Sequence, residues 1–182
     1  MKRPFTLILT SIMALIVIAG CSAGATTADP ISHAKEKLDA PIFTPSNLPE
    51  GFKLNTTDSY FVDGSLFLSY QNENGEKAKA IDIYIDNRNL RDVNEHLYKY
   101  INDDYEEEPS EEFLKTYKTI GSFTGKLTKK DKVFRKEKYN VFIFQFLPER
   151  FVENKTTAHF VIKTKNLTPE EFEEVVASLE EQ

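Results

Sequence analysis

The sequence predicts an α+β domain: a curved antiparallel sheet of six or seven strands, with one inserted helix and one C-terminal helix packed on it. Three observations carry this expectation. Segments with a two-residue hydrophobic period occur in both halves of the chain, and Ala80–Asp86 is the cleanest of them. Asn74-Gly75 stands between two such segments, and both positions tolerate the positive φ of a two-residue hairpin. Asn89–Asp104 and Phe172–Leu179 switch to the helical period.

Pro41, Pro45 and Pro49 keep the chain extended and mark the expected start of the domain, after one or two helical turns at Ser32–Leu38. Phe52–Asp63 reads as a first strand. Ser65–Asn72 reads as a second, with Leu66, Leu68 and Tyr70 on one face and Ser65, Phe67 and Ser69 on the other. In Ala80–Asp86, Ile81, Ile83 and Ile85 face a core, while Asp82, Tyr84 and Asp86 face out. Leu90, Val93, Leu97, Tyr100 and Ile101 line one side of the inserted helix. Tyr117–Leu127 returns to strand chemistry, interrupted by Gly121 and Gly125. Tyr139–Leu147 is apolar on both faces, which suits a strand covered on both sides. Thr157–Thr164 is the last strand. The final helix carries its own start signal. Thr168 is placed to cap it, Pro169 takes its first position and Glu171 closes a capping box. Leu167 and Phe172 are spaced for a hydrophobic staple, and Phe172, Val175, Val176 and Leu179 form one stripe.

The first 21 residues have a different character. Lys2 and Arg3 precede Phe5–Gly20, a run without charge, which ends in Ile18-Ala19-Gly20-Cys21. A positive start, an apolar run and small residues at a cut form the layout of a secretory signal. Small residues directly before a cysteine resemble the lipobox of bacterial lipoproteins. That resemblance implies cleavage between Gly20 and Cys21 and a diacylglycerol thioether on Cys21, the new N-terminus. The thiolate is the side chain nucleophilic enough for that bond, and two acyl chains anchor stably where one does not. The alternative, an uncleaved membrane helix, is short of the roughly 20 residues that span a bilayer. The expected organisation is a signal over 1–20, the lipidated cysteine and a flexible tether over 21–40, and one globular domain over 41–182.

Cutting ahead of Cys21 takes 20 of the 182 residues and leaves 162, enough for one domain with a full core. Removing Lys2 and Arg3 from the 23 basic residues leaves 21 against 29 acidic ones, a net charge of −8. That balance argues against a nucleic-acid partner. With a single cysteine there is no disulfide framework, so packing alone must stabilise the domain.

Leu48-Pro49-Glu50-Gly51-Phe52 near the start and Asn166–Leu179 at the end resemble a family of domains of unknown function. They are found in cell-surface lipoproteins and sigma-factor-regulator-like membrane proteins of Gram-positive bacteria. The resemblance implies a curved antiparallel sheet with a packed C-terminal helix, and it carries over no catalytic residue. The middle of the chain, and the absence of tryptophan, depart from that pattern.

No phosphate loop, nucleophile elbow or zinc-protease motif is present. His33, His96 and His159 stand apart from one another, and each reads as a surface or packing residue rather than a metal ligand. Asp103–Glu112 holds seven acidic residues and no basic one, but lacks the alternating order of a calcium loop. Asp82 and Asp86 share a strand face, where paired carboxylates or plain outward polarity both fit. The basic counterpart is Lys126–Lys138, with Lys129, Lys130, Lys132, Arg135, Lys136 and Lys138 around Val133 and Phe134. As a hairpin it would meet an anionic lipid or wall polymer; as a solvated loop it would balance the acidic run. No metal or cofactor is expected. The expectation is a non-enzymatic interaction module on the extracytoplasmic face of the cell membrane, for an envelope protein or an anionic wall component. The alternative is a carrier or sensor of a lipid or other hydrophobic ligand. An unfilled apolar pocket would favour the carrier and a well-packed core the interaction module.

Overall fold

A computed structural model describes residues 29–72, 79–88, 95–102, 110–134, 137–148 and 158–182. The signal segment, the hairpin tip at Asn74-Gly75, the start of the inserted helix and most of the acidic run lie outside these.

The chain enters through helix α1 (Pro30–Lys37). Asp29 caps it, accepting from the backbone N–H of Ile31 and Ser32, and Pro30 takes the first helical position. The expected tether reaches residue 40, yet Ala34 is fully buried and Leu38 nearly so. The packed chain therefore begins at Pro30, because α1 docks its small apolar face against strands β3 and β4.

Strands β1 (Phe43–Pro45), β2 (Phe52–Leu54), β3 (Tyr60–Val62), β4 (Ser65–Asn72) and β5 (Ala80–Asp86) follow. The single strand expected over Phe52–Asp63 is broken. The Asn55 side chain accepts from the N–H groups of Thr57 and Asp58, and the Ser59 hydroxyl donates to the Asn55 carbonyl. This local turn competes with the ladder and splits the strand in two. Asp63 and Gly64, at φ of 50° and 74°, then make the tight reversal into β4.

The insertion carries α2 (Glu95–Asn102) and the short α3 (Glu111–Leu114). The second half has β6 (Tyr117–Ile120), β7 (Phe123–Phe134), β8 (Glu137–Pro148), β9 (His159–Lys165), α4 (Pro169–Ala177) and β10 (Leu179–Glu181). Where one strand was expected over Tyr117–Leu127, Gly121 turns the chain at φ 57° and makes the β6–β7 hairpin. Gly125 stays in β7, since a Cβ there would lie 2.8 Å from the Cα of Phe146 and collide with the Gln145 carbonyl.

The main sheet is antiparallel, in the order β2-β4-β5-β9-β8-β7-β6, with β3 also pairing β4. It has eight strands where six or seven were expected, and β1 and β10 form a separate two-stranded sheet. The fold class is the expected α+β. One face is apolar across adjacent strands, with Leu66, Leu68, Ile81, Ile83, Ile85, Phe144, Phe146, Phe160 and Ile162 fully buried. Helix α4 closes this face. The Phe172 ring stacks on Phe142 at 5.0 Å and meets Phe144 edge-on at 6.3 Å. The capping box of Thr168 and Glu171 is formed, and Leu167 and Phe172 are both buried. Leu179 is buried too, but as the first residue of β10 rather than the end of the helix. Ser178 stops α4, and Leu179 then pairs with Pro45.

Candidate functional site

The face of the sheet opposite α4 carries the candidate sites. Its rows follow from the register. Lys130 on β7, Val141 on β8 and Lys165 on β9 lie side by side, and Thr128, Ile143, Lys163 and Asp82 form the next row. Lys132 lies opposite Tyr139. The Lys165 ammonium sits 4.9 Å from the centroid of the Tyr139 ring, a cation–π contact.

Strand β9 does not follow β7 and β8 to the end of their pairing. Strand β8 pairs with β7 along its whole length, from Glu137 to Pro148, but with β9 only from Val141 to Phe146. Beyond Asn140, whose carbonyl accepts from the Asn166 N–H at 3.1 Å, Lys132–Phe134 and Glu137–Tyr139 extend as a two-stranded arm, and Val133 on it is 68% exposed. Of the six basic residues expected to act together, the alternation of β7 separates Lys129 from Lys130 and Lys132. Lys129 lies on the helix-covered face, 5.4 Å from the Phe142 ring. Lys130 and Lys132 are exposed on the other. Lys138 lies on β8 opposite Val133. Arg135 and Lys136 fall outside the described residues. The register adds two cations that the sequence pattern assigns only to the last strand, Lys163 and Lys165.

Where β9 ends, a cleft of about 570 Å³ opens beneath the arm, lined in part by Lys79, Lys132, Tyr139, Asn140 and Asn166. Asn140 donates to the Leu167 carbonyl at 2.9 Å, while its Oδ1 is buried without a hydrogen-bond partner. Lys79, on the rim, pairs with Glu171 of α4 at 2.8 Å. Burial raises the Glu171 pKa, but the hydrogen bonds from Lys79 and the Thr168 N–H outweigh it and hold the carboxyl below its usual range.

The second cluster lies at the far end of β5 and β9. Asp86 was expected to face solvent, yet only 1% of its side chain is exposed. Its Oδ2 accepts from Nε and Nη2 of Arg88 at 2.9 and 2.8 Å, and its Oδ1 from the Arg88 backbone N–H at 2.8 Å. Burial pushes this carboxyl up, and the Arg88 bonds and charge bring it below its ordinary value. His159, its cross-strand partner, is also buried. Nδ1 lies 3.7 Å from Asp86 Oδ2, too far for a hydrogen bond, and neither ring nitrogen has a partner. Burial is the main reason its pKa is lowered; Asp86 opposes this and Arg88 adds to it.

Asp82, four residues before Asp86, has different partners. It accepts from Ser69 Oγ at 3.0 Å and lies 4.0 Å from Lys163, while burial raises its pKa. The two carboxylates are thus held apart by separate partners rather than working as a pair. His33 rests edge-on against Phe61 at 5.2 Å, and His96 is exposed. Among the described residues, no group of three or more His, Cys, Asp or Glu side chains is placed to hold a metal ion.

No family model matches the chain, and no curated protein matches it. A solved structure from Bacteroides thetaiotaomicron VPI-5482 is similar over 75% of this chain at 12% identity, with a TM-score of 0.46. The likeness covers 44% of that protein, so the chain spans less than half its length. It carries no function across.

Proposed function

We propose that this is an extracytoplasmic lipoprotein, held at the cell membrane by diacylglycerol on Cys21, whose domain is a non-enzymatic interaction module. Its partner is an envelope protein or an anionic wall component. The observation that carries this reading is the β7–β8 arm. It extends beyond the sheet, offers Lys132 to solvent with the exposed Lys130 at its base, and belongs to a domain that is acidic as a whole. An isolated two-stranded ribbon is marginal in water, so an arm of this kind is explained by what it contacts. A carrier of a hydrophobic ligand would need an apolar cleft. The clefts described are rimmed by charged side chains, and phenylalanine rings fill the space between α4 and the sheet.

The test is crosslinking of the full-length protein in its own cells, followed by mass spectrometry of the captured protein and polymer. Wild type should give a reproducible partner, and Lys130→Glu with Lys132→Glu should lose it. Cys21→Ala should abolish lipid labelling of the chain. A partner retained by the charge-reversed arm removes the arm from the reading; labelling that persists without Cys21 removes the anchor.

A further inference from the structure

We infer that the open face of β7, β8 and β9, built on Lys130, Lys132, Lys163 and Lys165, binds a linear anionic polymer lying across the strands. This rests on the interaction reading above and names the partner's chemistry. Four observations support it. Lys130 and Lys165 flank Val141 in one row, about 10 Å apart at two strand spacings. Lys132 and Lys163 extend the field along their strands by about 7 Å each. The cations therefore form a flat, two-dimensional array, which suits a chain of repeated charges rather than one compact anion. Against these lysines the register sets Asp82, beside Lys163, and Glu137, at the end of β8, so basic residues outnumber acidic ones on this part of the face. Tyr139, under the Lys165 ammonium, holds that cation in place above the sheet.

The residue types point the same way. Protein interfaces are depleted in lysine and centred on apolar or aromatic anchors. Here Val141 is buried, and the exposed Val133 alternates to the other side of β7. Lysine is a mobile point charge, matched to a repeating anion of variable geometry rather than to one fixed bidentate partner.

The fold also separates this face from α1, the element that follows the tether. Helix α1, which follows the tether, packs with Ala34 and Leu38 in the core on the helix-covered side, against β3 and β4. Strand β7 lies four strand spacings from β4, about 19 Å across the sheet. The lysine face is therefore on the opposite side and towards the opposite edge of the sheet from α1.

Full-length protein in phosphatidylcholine nanodiscs, titrated with linear polyphosphate, tests this. Wild type should bind. Lys130→Glu with Lys165→Glu should weaken binding more than tenfold, and the milder Lys130→Gln with Lys165→Gln should weaken it less, which guards against misfolding. Lys129→Glu, on the other face, should leave it unchanged. The log–log salt slope should be about −3, given roughly −0.7 per phosphate contact for a single-stranded polyanion. Absence of binding overturns the proposal, as does equal sensitivity to Lys129→Glu. Stronger, lysine-dependent binding to phosphatidylglycerol vesicles makes a lipid surface the occupant and also overturns it. Should crosslinking in cells capture a protein through the arm while polyphosphate fails to bind, the interaction reading stands and this inference falls.

Discussion

Burial leaves His159 with two unpartnered ring nitrogens, beside a carboxylate that Arg88 already holds at 2.8 and 2.9 Å. Below its ordinary value of 6.5, the unfolded chain takes up a proton that the folded histidine resists. Stability therefore falls as pH drops from 7 towards 5, and rises with pH across the same window. Asp86 has the opposite charge and a folded pKa below its ordinary 3.8. Its contribution is present above that value and is lost only as pH falls through the lower, folded one. The two groups thus act in separate ranges. His159→Phe should flatten the loss between pH 7 and 5 in urea melts. It should change stability at pH 7 by no more than about 1 kcal/mol, because it replaces polar atoms that have no partners. An unaltered pH slope would place the titrating group elsewhere.

At the scale of elements, α4 is the most locally determined. Thr168 accepts from the Glu171 N–H at 3.1 Å, and Glu171 accepts from the Thr168 N–H at 2.8 Å. Glu171 also holds Lys79, so the cap fastens the helix to the start of β5. Thr168→Ala should cost about 1 kcal/mol in a denaturant melt, and Thr168→Ser should restore most of it. These signals were legible in the sequence because each depends on residues within four positions of one another. The limits of β4 and β5 were legible for the same reason, through alternation between apolar and polar side chains. The turn at Asn55–Ser59 was equally local, yet it sat inside what read as one continuous strand. What could not be read locally was fixed by distant partners. Leu179 satisfies a helical stripe by spacing, but Pro45 recruits it into a strand. Asp86 alternates outward along β5, but its neighbours His159 and Arg88 enclose it.

For the whole molecule, the site was half legible. The basic run announced its charge, but which lysines share a face depends on strand register, and Lys163 and Lys165 join the array only through β8. The two ends of the domain are likewise joined by pairing: Phe43 faces Glu181, and the Gln182 N–H donates to the Ile42 carbonyl at 2.9 Å. Deleting residues 179–182 removes the buried Leu179 and leaves β1 without its partner. The truncated chain should lose about 3 kcal/mol, as for a buried leucine cut back to nothing, read as a lower urea midpoint. A midpoint equal to that of the full chain would make the small sheet dispensable.

This pairing also sets a schedule for biogenesis. Strand β1 is among the first parts of the domain to be synthesised, and β10 is the last. The sheet has the same order in time, since β5 finds its neighbour β9 only after the insertion and three further strands have been made. A nascent chain emerging from ribosome or translocon thus cannot complete its core until β9 and β10 have been made. Until then its apolar strands lack their partners, and the growing polypeptide must be kept from aggregating.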